Sequence, residues 1–262
     1  MVRGGAGIFR LAAIDLDGTL LRSDGTIGDR TKRAIRDTSL DIVLVTARGP
    51  LTIHEIAAEL GVAGRAICSN GALVVDLATQ RIERQRLLES EIALELVHKL
   101  REELPGIKFA VEHEQFAHEP GFSPFRNWTP PQGTRVADIV ELLADPATQL
   151  ILRHAEHETT AIQDLVRDLV GDRLTVVASG SEAVGVTAAG VNKAGAVAEL
   201  GYPSEEVVAF GDYPNDIPLL TWAGHSVAMA NAHPDVVAIA DEVTATNDED
   251  GVAVVLERLG AA

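Results

Sequence analysis

Apolar positions along the chain fall into short unbroken runs separated by stretches with helical spacing. The runs at 11–14 (LAAI), 42–45 (IVLV), 66–68 (AIC), 73–75 (LVV), 207–210 (VVAF) and 226–229 (SVAM) are too short for helices. They show little alternation of apolar and polar residues, which is the mark of strands buried on both faces. Between them lie helical patterns at 29–37, with Ala34 and Ile35 inward, and at 51–60, ending before Gly61. After residue 190 the pattern predicts helices at 193–200, 217–223, 234–240 and 250–259, the first capped by Asn192. Buried strands alternating with amphipathic helices predict an α/β fold with a parallel, Rossmann-like sheet.

The middle reads differently. Helical patterns at 90–103, 136–143 and 159–170 mix with alternating strands at 107–111, 150–153 and 174–178. Pro105-Gly106, Pro120-Gly121 and Pro130-Pro131 punctuate it. This predicts an α+β domain over 81–185 inserted into a core made of 1–80 and 186–262. The chain shows no internal repeat and no low-complexity tract.

Composition narrows the function classes. The formal net charge is −17, shared as −7 over 81–185 and −10 over the rest. Neither part is basic, which argues against nucleic-acid binding through phosphates. No run approaches the ~18 apolar residues of a membrane span. The first 14 residues lack the long apolar core of a signal peptide. The single cysteine, Cys68, excludes an intrachain disulfide and fits a reducing, cytoplasmic setting. Asn127-Trp128-Thr129 matches a glycosylation sequon, which carries little weight without a secretion signal. The glycines of 4–7 precede the first strand instead of following it, so they are no dinucleotide fingerprint. Because the chain is so acidic, any anionic ligand needs a local cationic cluster.

Candidate chemistry collects where predicted strands end, the edge at which open α/β sheets bind ligands. Ile14–Leu20 (IDLDGTL) places Asp15 and Asp17 at the end of the first run. Strand alternation directs both to one side, and Gly18 lets the backbone turn away. An EF-hand is excluded, because Leu20 and Thr26 stand where that loop needs Gly and Glu. Thr46, followed by Ala47 and Arg48, ends the second run and suits a phosphate cradle. Lys193 starts a helix, where the dipole disfavours a cation, which leaves a charge-neutralising role beside the commoner reading of a solvated surface lysine. Gly211-Asp212-Tyr213-Pro214-Asn215-Asp216 follows VVAF and adds two more acids. Asp15, Asp17, Asp212 and Asp216 in one crevice would repel strongly without a cation, and oxygen-only ligands favour Mg²⁺ over Zn²⁺.

The ordered set DLDGT, Thr46, Lys193 and GDYPND resembles the four motifs of the haloacid dehalogenase (HAD) superfamily. The flanks CSNGA (68–72), GVNKAGAV (190–197), MANAHPDV (229–236) and DEVTATNDEDGVA (241–253) are similar to its Cof-type phosphatase branch. The resemblance covers about 1–80 and 186–262. It implies a Rossmann-like core with an inserted cap between the second and third motifs. It also implies a nucleophile at Asp15, a general acid–base at Asp17, and phosphate-binding roles for Gly18, Thr46, Lys193 and Asn215. Mg²⁺ would lie on Asp15, Asp212 and the Asp17 backbone carbonyl. Asp216 joins that metal group and orients a metal-bound water or Lys193. An acid at Asp17 suits protonation of an alkoxide, where ion-pumping relatives carry Thr.

The expected activity is therefore a Mg²⁺-dependent phosphatase of small phosphorylated metabolites, working through an aspartyl-phosphate. A phosphomutase, a dedicated sugar-phosphate phosphatase of the mannosyl-phosphoglycerate type, and a non-catalytic phosphometabolite-binding regulator are the alternatives. Neither a nucleic-acid nor a membrane partner is expected, and nothing in the sequence favours a monomer over a homodimer. Substrate choice is expected from the cap, with His113 and Glu114 as candidate contacts. The spacings of His113, His118, His154 and His157 match no zinc motif.

Overall fold

The computed structural model describes residues 9–123, 133–178 and 183–260. The 4–7 glycines, the 127–129 sequon and Pro130-Pro131 lie outside the described residues. In chain order the elements are β1 (Leu11–Asp15), α1 (Asp29–Asp37), β2 (Asp41–Val45), α2 (Ile53–Leu60), β3 (Arg65–Cys68), β4 (Leu73–Asp76) and β5 (Arg81–Gln85). Then come α3 (Ser90–Glu103), β6 (Lys108–Glu112), β7 (Phe116–His118), β8 (Arg135–Val136), α4 (Ile139–Leu142), β9 (Gln149–Arg153), α5 (Thr159–Val170), β10 (Leu174–Ala178) and β11 (Val184–Ala188). The last are α6 (Lys193–Ala198), β12 (Val207–Gly211), α7 (Ile217–Trp222), β13 (His225–Ala228), α8 (Pro234–Ile239), β14 (Glu242–Val243) and α9 (Gly251–Gly260).

The chain divides into two compact units, one of 1–48, 52–83 and 192–262, the other of 49–51 and 84–191. In the first, eight strands pair in the order β14-β13-β12-β1-β2-β3-β4-β5. The run from β14 to β3 is parallel, and β4 returns antiparallel to β3. The apolar runs divide their side chains between two layers. Ala12, Ile14, Leu44, Val208 and Phe210 face α1, α2 and α9. Leu11, Ala13, Val43, Val45, Val207 and Ala209 face α6, α7 and α8. Burial on both faces is why these strands show no polar alternation.

The second unit is a six-stranded sheet ordered β10-β11-β9-β6-β7-β8, antiparallel except where β8 joins β7. One face packs Phe109, Val111, Leu150 and Leu152 against Leu96, Val97 and Leu100 of α3 and Ile162 and Val166 of α5. The other carries a small cluster of Ala110, Phe116, Phe122 and Ile151. Its central strands are therefore buried on both faces, where the sequence pattern predicted alternation.

Several boundaries differ from the sequence reading. The division between units falls a few residues later than 80 and 185 at each end. Residues 81–85 are too polar to read as a strand, yet β5 is an edge strand of the first sheet and tolerates charge. The helix expected at 136–143 shrinks to α4, because 135–136 extends to pair with β7. The helix expected from residue 51 starts at Ile53.

Glu119 fastens the second unit internally. It is buried, accepting the Phe109 N–H at 3.0 Å and the Arg101 guanidinium of α3 at 2.7 Å. The two partners are unequally exposed, since Arg101 reaches solvent and Glu119 does not. Removing the arginine leaves a buried carboxylate without a counter-charge, whereas removing the acid frees an arginine that water can solvate. Arg101→Ala should therefore cost about 3–5 kcal/mol, by analogy with broken buried pairs. Glu119→Gln should cost about 1–2 kcal/mol, near the value of one charged hydrogen bond. Urea melts of the two variants check the order.

Candidate active site

The site of the first unit is organised around Lys193, whose side chain is 1 % exposed. Its Nζ donates to Asp15 Oδ1 and Asp216 Oδ1, each at 2.6 Å. Burial alone would pull the ammonium pKa down, but the adjoining charges of Asp15 and Asp216 overcome this and hold it above its ordinary value. Lys193 is placed by α6, whose N-cap Asn192 accepts the Gly195 N–H at 2.9 Å. The dipole at that helix end is outweighed by two carboxylates in direct contact.

Asp216 is fully buried and has both oxygens engaged. Oδ1 meets Lys193, while Oδ2 accepts the backbone N–H groups of Asp212 and Tyr213, each at 3.1 Å. This closed turn explains the Gly in GDYPND, because a Cβ on Gly211 would lie 2.6 Å from Asp216 Cβ. Asp216 sits in the acid cluster as expected, but its bonds make it the post that holds Lys193 and the 212–213 backbone.

Asp15 and Asp212 are arranged differently. Asp15 Oδ1 accepts from Lys193, and Asp212 Oδ1 accepts from the Thr19 hydroxyl at 2.9 Å. Among the described residues, the Oδ2 atoms of both accept no hydrogen bond. Ligand oxygens of Asp15, Asp212 and Asp216 all lie within 4.8 Å of one another. Burial, then the Asp216 charge, pushes Asp212 up to about 7, against the opposing Thr19 hydrogen bond and Lys193 charge. Burial, then Asp216, also raises Asp15, with Lys193 opposing. Three carboxylates against one ammonium leave surplus negative charge, and this cluster of hard oxygens fits a divalent cation of the Mg²⁺ type.

Gly18 was expected to contact phosphate. It adopts φ +79°, and a Cβ there would overlap the Asp212 carboxylate. Its visible role is therefore clearance for Asp212. Asp17 is not beside Asp15 in the cluster. β1 ends at Asp15, and Leu16 opens a turn whose carbonyl accepts the N–H groups of Leu20 and Leu21, so strand alternation no longer directs residue 17. Its carboxylate is 53 % exposed and is gripped by Arg48, with Nε at 2.7 Å and Nη2 on the other oxygen.

Thr46 is buried at the end of β2, where Oγ1 accepts the Arg48 N–H at 3.0 Å. Its carbonyl accepts the Asn70 N–H, and the Arg48 carbonyl accepts the Ser69 N–H. Ser69 and Asn70 both take left-handed φ, 49° and 57°. That conformation costs a residue with a side chain roughly 1–2 kcal/mol. Asn70 Oδ1 in turn accepts from Asn215 Nδ2 at 3.1 Å. Thr46, Arg48, Asn70 and Asn215 thus form one connected rim.

Sequence reasoning missed four contributors. Thr19 orients Asp212, and Asn70 orients Asn215. Asn231 donates to the Gly18 carbonyl at 2.8 Å and accepts the Asn247 N–H at 2.9 Å, while Asn247 donates to the Leu21 carbonyl at 2.8 Å. Their only signal was position, in the DGTL, SNG, MANA and TNDED stretches beside the recognised motifs.

His113 and Glu114 belong to the second unit. They line a pocket of about 370 Å³ there, together with Phe116 and Arg135. Both His113 ring nitrogens already face backbone carbonyls, those of Pro146 and Leu142, each at 3.1 Å. The ring is therefore engaged in tying the β6–β7 hairpin to α4. Glu114 is exposed. No helix among the described residues is long and apolar enough to cross a membrane.

A family model for haloacid dehalogenase-like hydrolases matches residues 12–256. The chain is 30 % identical over 254 residues to a 5-amino-6-(5-phospho-D-ribitylamino)uracil phosphatase of Bacillus subtilis, with 93 % of each chain covered. It is 28 % identical over 251 residues to an HMP-PP phosphatase of Serratia proteamaculans, with 88 % of each covered. Among solved structures, a phosphatase of the haloalkanoate (HAD) superfamily from Bacteroides thetaiotaomicron superposes with a TM-score of 0.79 at 26 % identity. That match covers 100 % of this chain and 99 % of the other. The order of acids, lysine and glycines around the buried ammonium and the match along nearly the whole chain agree: this protein belongs to the haloacid dehalogenase-like hydrolases, in their Cof-type phosphatase branch.

Proposed function

We propose that the protein is a Mg²⁺-dependent phosphatase of small phosphorylated metabolites, acting through an aspartyl-phosphate on Asp15. The observation that carries this reading is the asymmetry of Asp15. Lys193 pins one oxygen, and the other lies unbonded beside the acid cluster. A nucleophile needs that arrangement: a fixed carboxylate with one oxygen presented. The phosphatase names of the relatives support the same reaction class.

Asp15 Oδ2 attacks phosphorus as the ester bond to the leaving oxygen breaks. Asp17 donates a proton to that oxygen. Asp17 then takes a proton from a water that attacks the phosphoryl group, releasing inorganic phosphate and restoring Asp15. Thr46, Asn215 and Lys193 hold phosphoryl oxygens, and Asp216 keeps Lys193 in place. Mg²⁺ would be held by Asp15, Asp212 and the Asp17 backbone carbonyl, and when bound it neutralises charge on the phosphoryl oxygens. The second unit serves as the cap that selects the leaving group, with the pocket at Glu114 and Arg135 as its candidate contact surface. A soluble, cytoplasmic enzyme is the setting this reading assumes.

Two outcomes test it. Asp15→Asn should lower turnover of p-nitrophenyl phosphate by at least about 10³-fold, since the nucleophile itself is lost. EDTA should stop the wild-type enzyme, and Mg²⁺ should restore it. Undiminished activity in Asp15→Asn would sink the aspartyl-phosphate route.

A further outcome concerns pH. Folded Asp212, at about 7, binds a proton that the unfolded chain releases near 4. The metal-free fold therefore gains most below that window and loses stability as pH rises through 7; Asp15 adds in the same direction. The melting temperature of EDTA-treated protein should fall between pH 5 and 8. Mg²⁺ should raise it most at pH 8, and Asp212→Asn should flatten both responses. Calorimetric scans across that range give the answer.

A further inference from the structure

Lys193 is enclosed by Asp15 and Asp216, and a metal held by the same acids is shared with them, so a phosphate dianion entering this acidic site gains from a further cation. Arg48 is placed to supply it. Its backbone is fixed on both sides, by the N–H bond to Thr46 Oγ1 at 3.0 Å and by the Ser69 N–H on its carbonyl at 2.8 Å. Its Cα therefore stands two residues from the hydroxyl assigned to phosphate. Its side chain is 39 % exposed and, among the described residues, is held by the Asp17 carboxylate alone.

We infer that Arg48 is a phosphate-binding residue that exchanges partners, leaving Asp17 for the phosphoryl group when the substrate enters. The inference rests on the phosphatase reading. The forked guanidinium meets a phosphoryl group with the same two-point geometry it uses on a carboxylate. The dianion carries more charge than Asp17, and a solvent-exposed arginine–carboxylate pair is weak, so the exchange is downhill. Asp17 and the phosphoryl group thus compete for one cation. The residue that must handle the leaving-group proton is released from its ion pair when the ester arrives. By linkage, Asp17 weakens phosphate binding through Arg48 as much as phosphate weakens the pair.

Titration calorimetry with inorganic phosphate, in the presence of Mg²⁺, tests this on wild type, Asp17→Asn, Arg48→Ala, Arg48→Lys and the Asp17→Asn/Arg48→Ala double variant. Arg48→Ala should weaken phosphate binding about tenfold or more, the value of a charged hydrogen bond. Its KM for p-nitrophenyl phosphate should rise more than its kcat falls. Arg48→Lys should recover part of the loss. Asp17→Asn should tighten phosphate about two- to fivefold, the strength of an exposed pair, and that gain should vanish in the double variant. Wild-type phosphate affinity in Arg48→Ala overturns the inference, and so does a gain from Asp17→Asn that persists without Arg48. If wild type binds phosphate and loses turnover in Asp15→Asn while either result appears, the phosphatase reading stands and only the role of Arg48 falls. If wild type neither binds phosphate nor hydrolyses the ester, both fall.

Discussion

A buried ammonium needs compensating charge, and the site is arranged around how Lys193 obtains it. Taking such an ion out of water costs several kcal/mol unless paired and hydrogen-bonded partners replace the solvent. Asp15 and Asp216 do so at 2.6 Å. Each of those acids is then fixed by the same bond, and Asp216 passes the constraint on to the backbone at 212 and 213. The position of Asp212, and so of the unengaged oxygens, follows from a lysine on a different element. Removing the ammonium would leave three carboxylates, two of them buried, facing one another.

The remaining constraints are steric and local. Gly18 and Gly211 lie where a Cβ would strike the carboxylates of Asp212 and Asp216. Three asparagines complete the frame. Asn70 braces Asn215, while Asn231 and Asn247 tie the turn after β1 to loops far along the chain. These bonds set the geometry without adding charge, as suits a site already overloaded with acids.

Much of this was legible in the sequence, for identifiable reasons. β1, β2 and β12 showed themselves because strands buried on both faces must be apolar throughout. Asp15, Lys193, Asp212 and Asp216 showed themselves because several acids and a lysine gather where buried strands end, and such a cluster is costly unless compensated. Asp17 was misdirected because alternation was carried one turn too far, past the end of β1. Thr19, Asn70, Asn231 and Asn247 were invisible because a neutral hydrogen-bonding side chain has no sequence signature until its loop is placed. β5 escaped because an edge strand can be as polar as a loop. His113 was read for its chemistry, whereas its ring nitrogens meet the carbonyls of Leu142 and Pro146.

β1 pairs with β2 on one side and with β12 on the other. The first neighbour arrives within some thirty residues of synthesis, by the numbering of the strands, and the second only after the whole second unit has been made. A growing chain therefore carries its central strand with one row of N–H and C=O groups unpaired until the second unit has been made. Asp15 waits with it, since Lys193, Asp212 and Asp216 all follow the second unit in the chain. The hazard of a sticky half-sheet falls on the nascent polypeptide, and Asp15 gains its ammonium partner only after the second unit has been made.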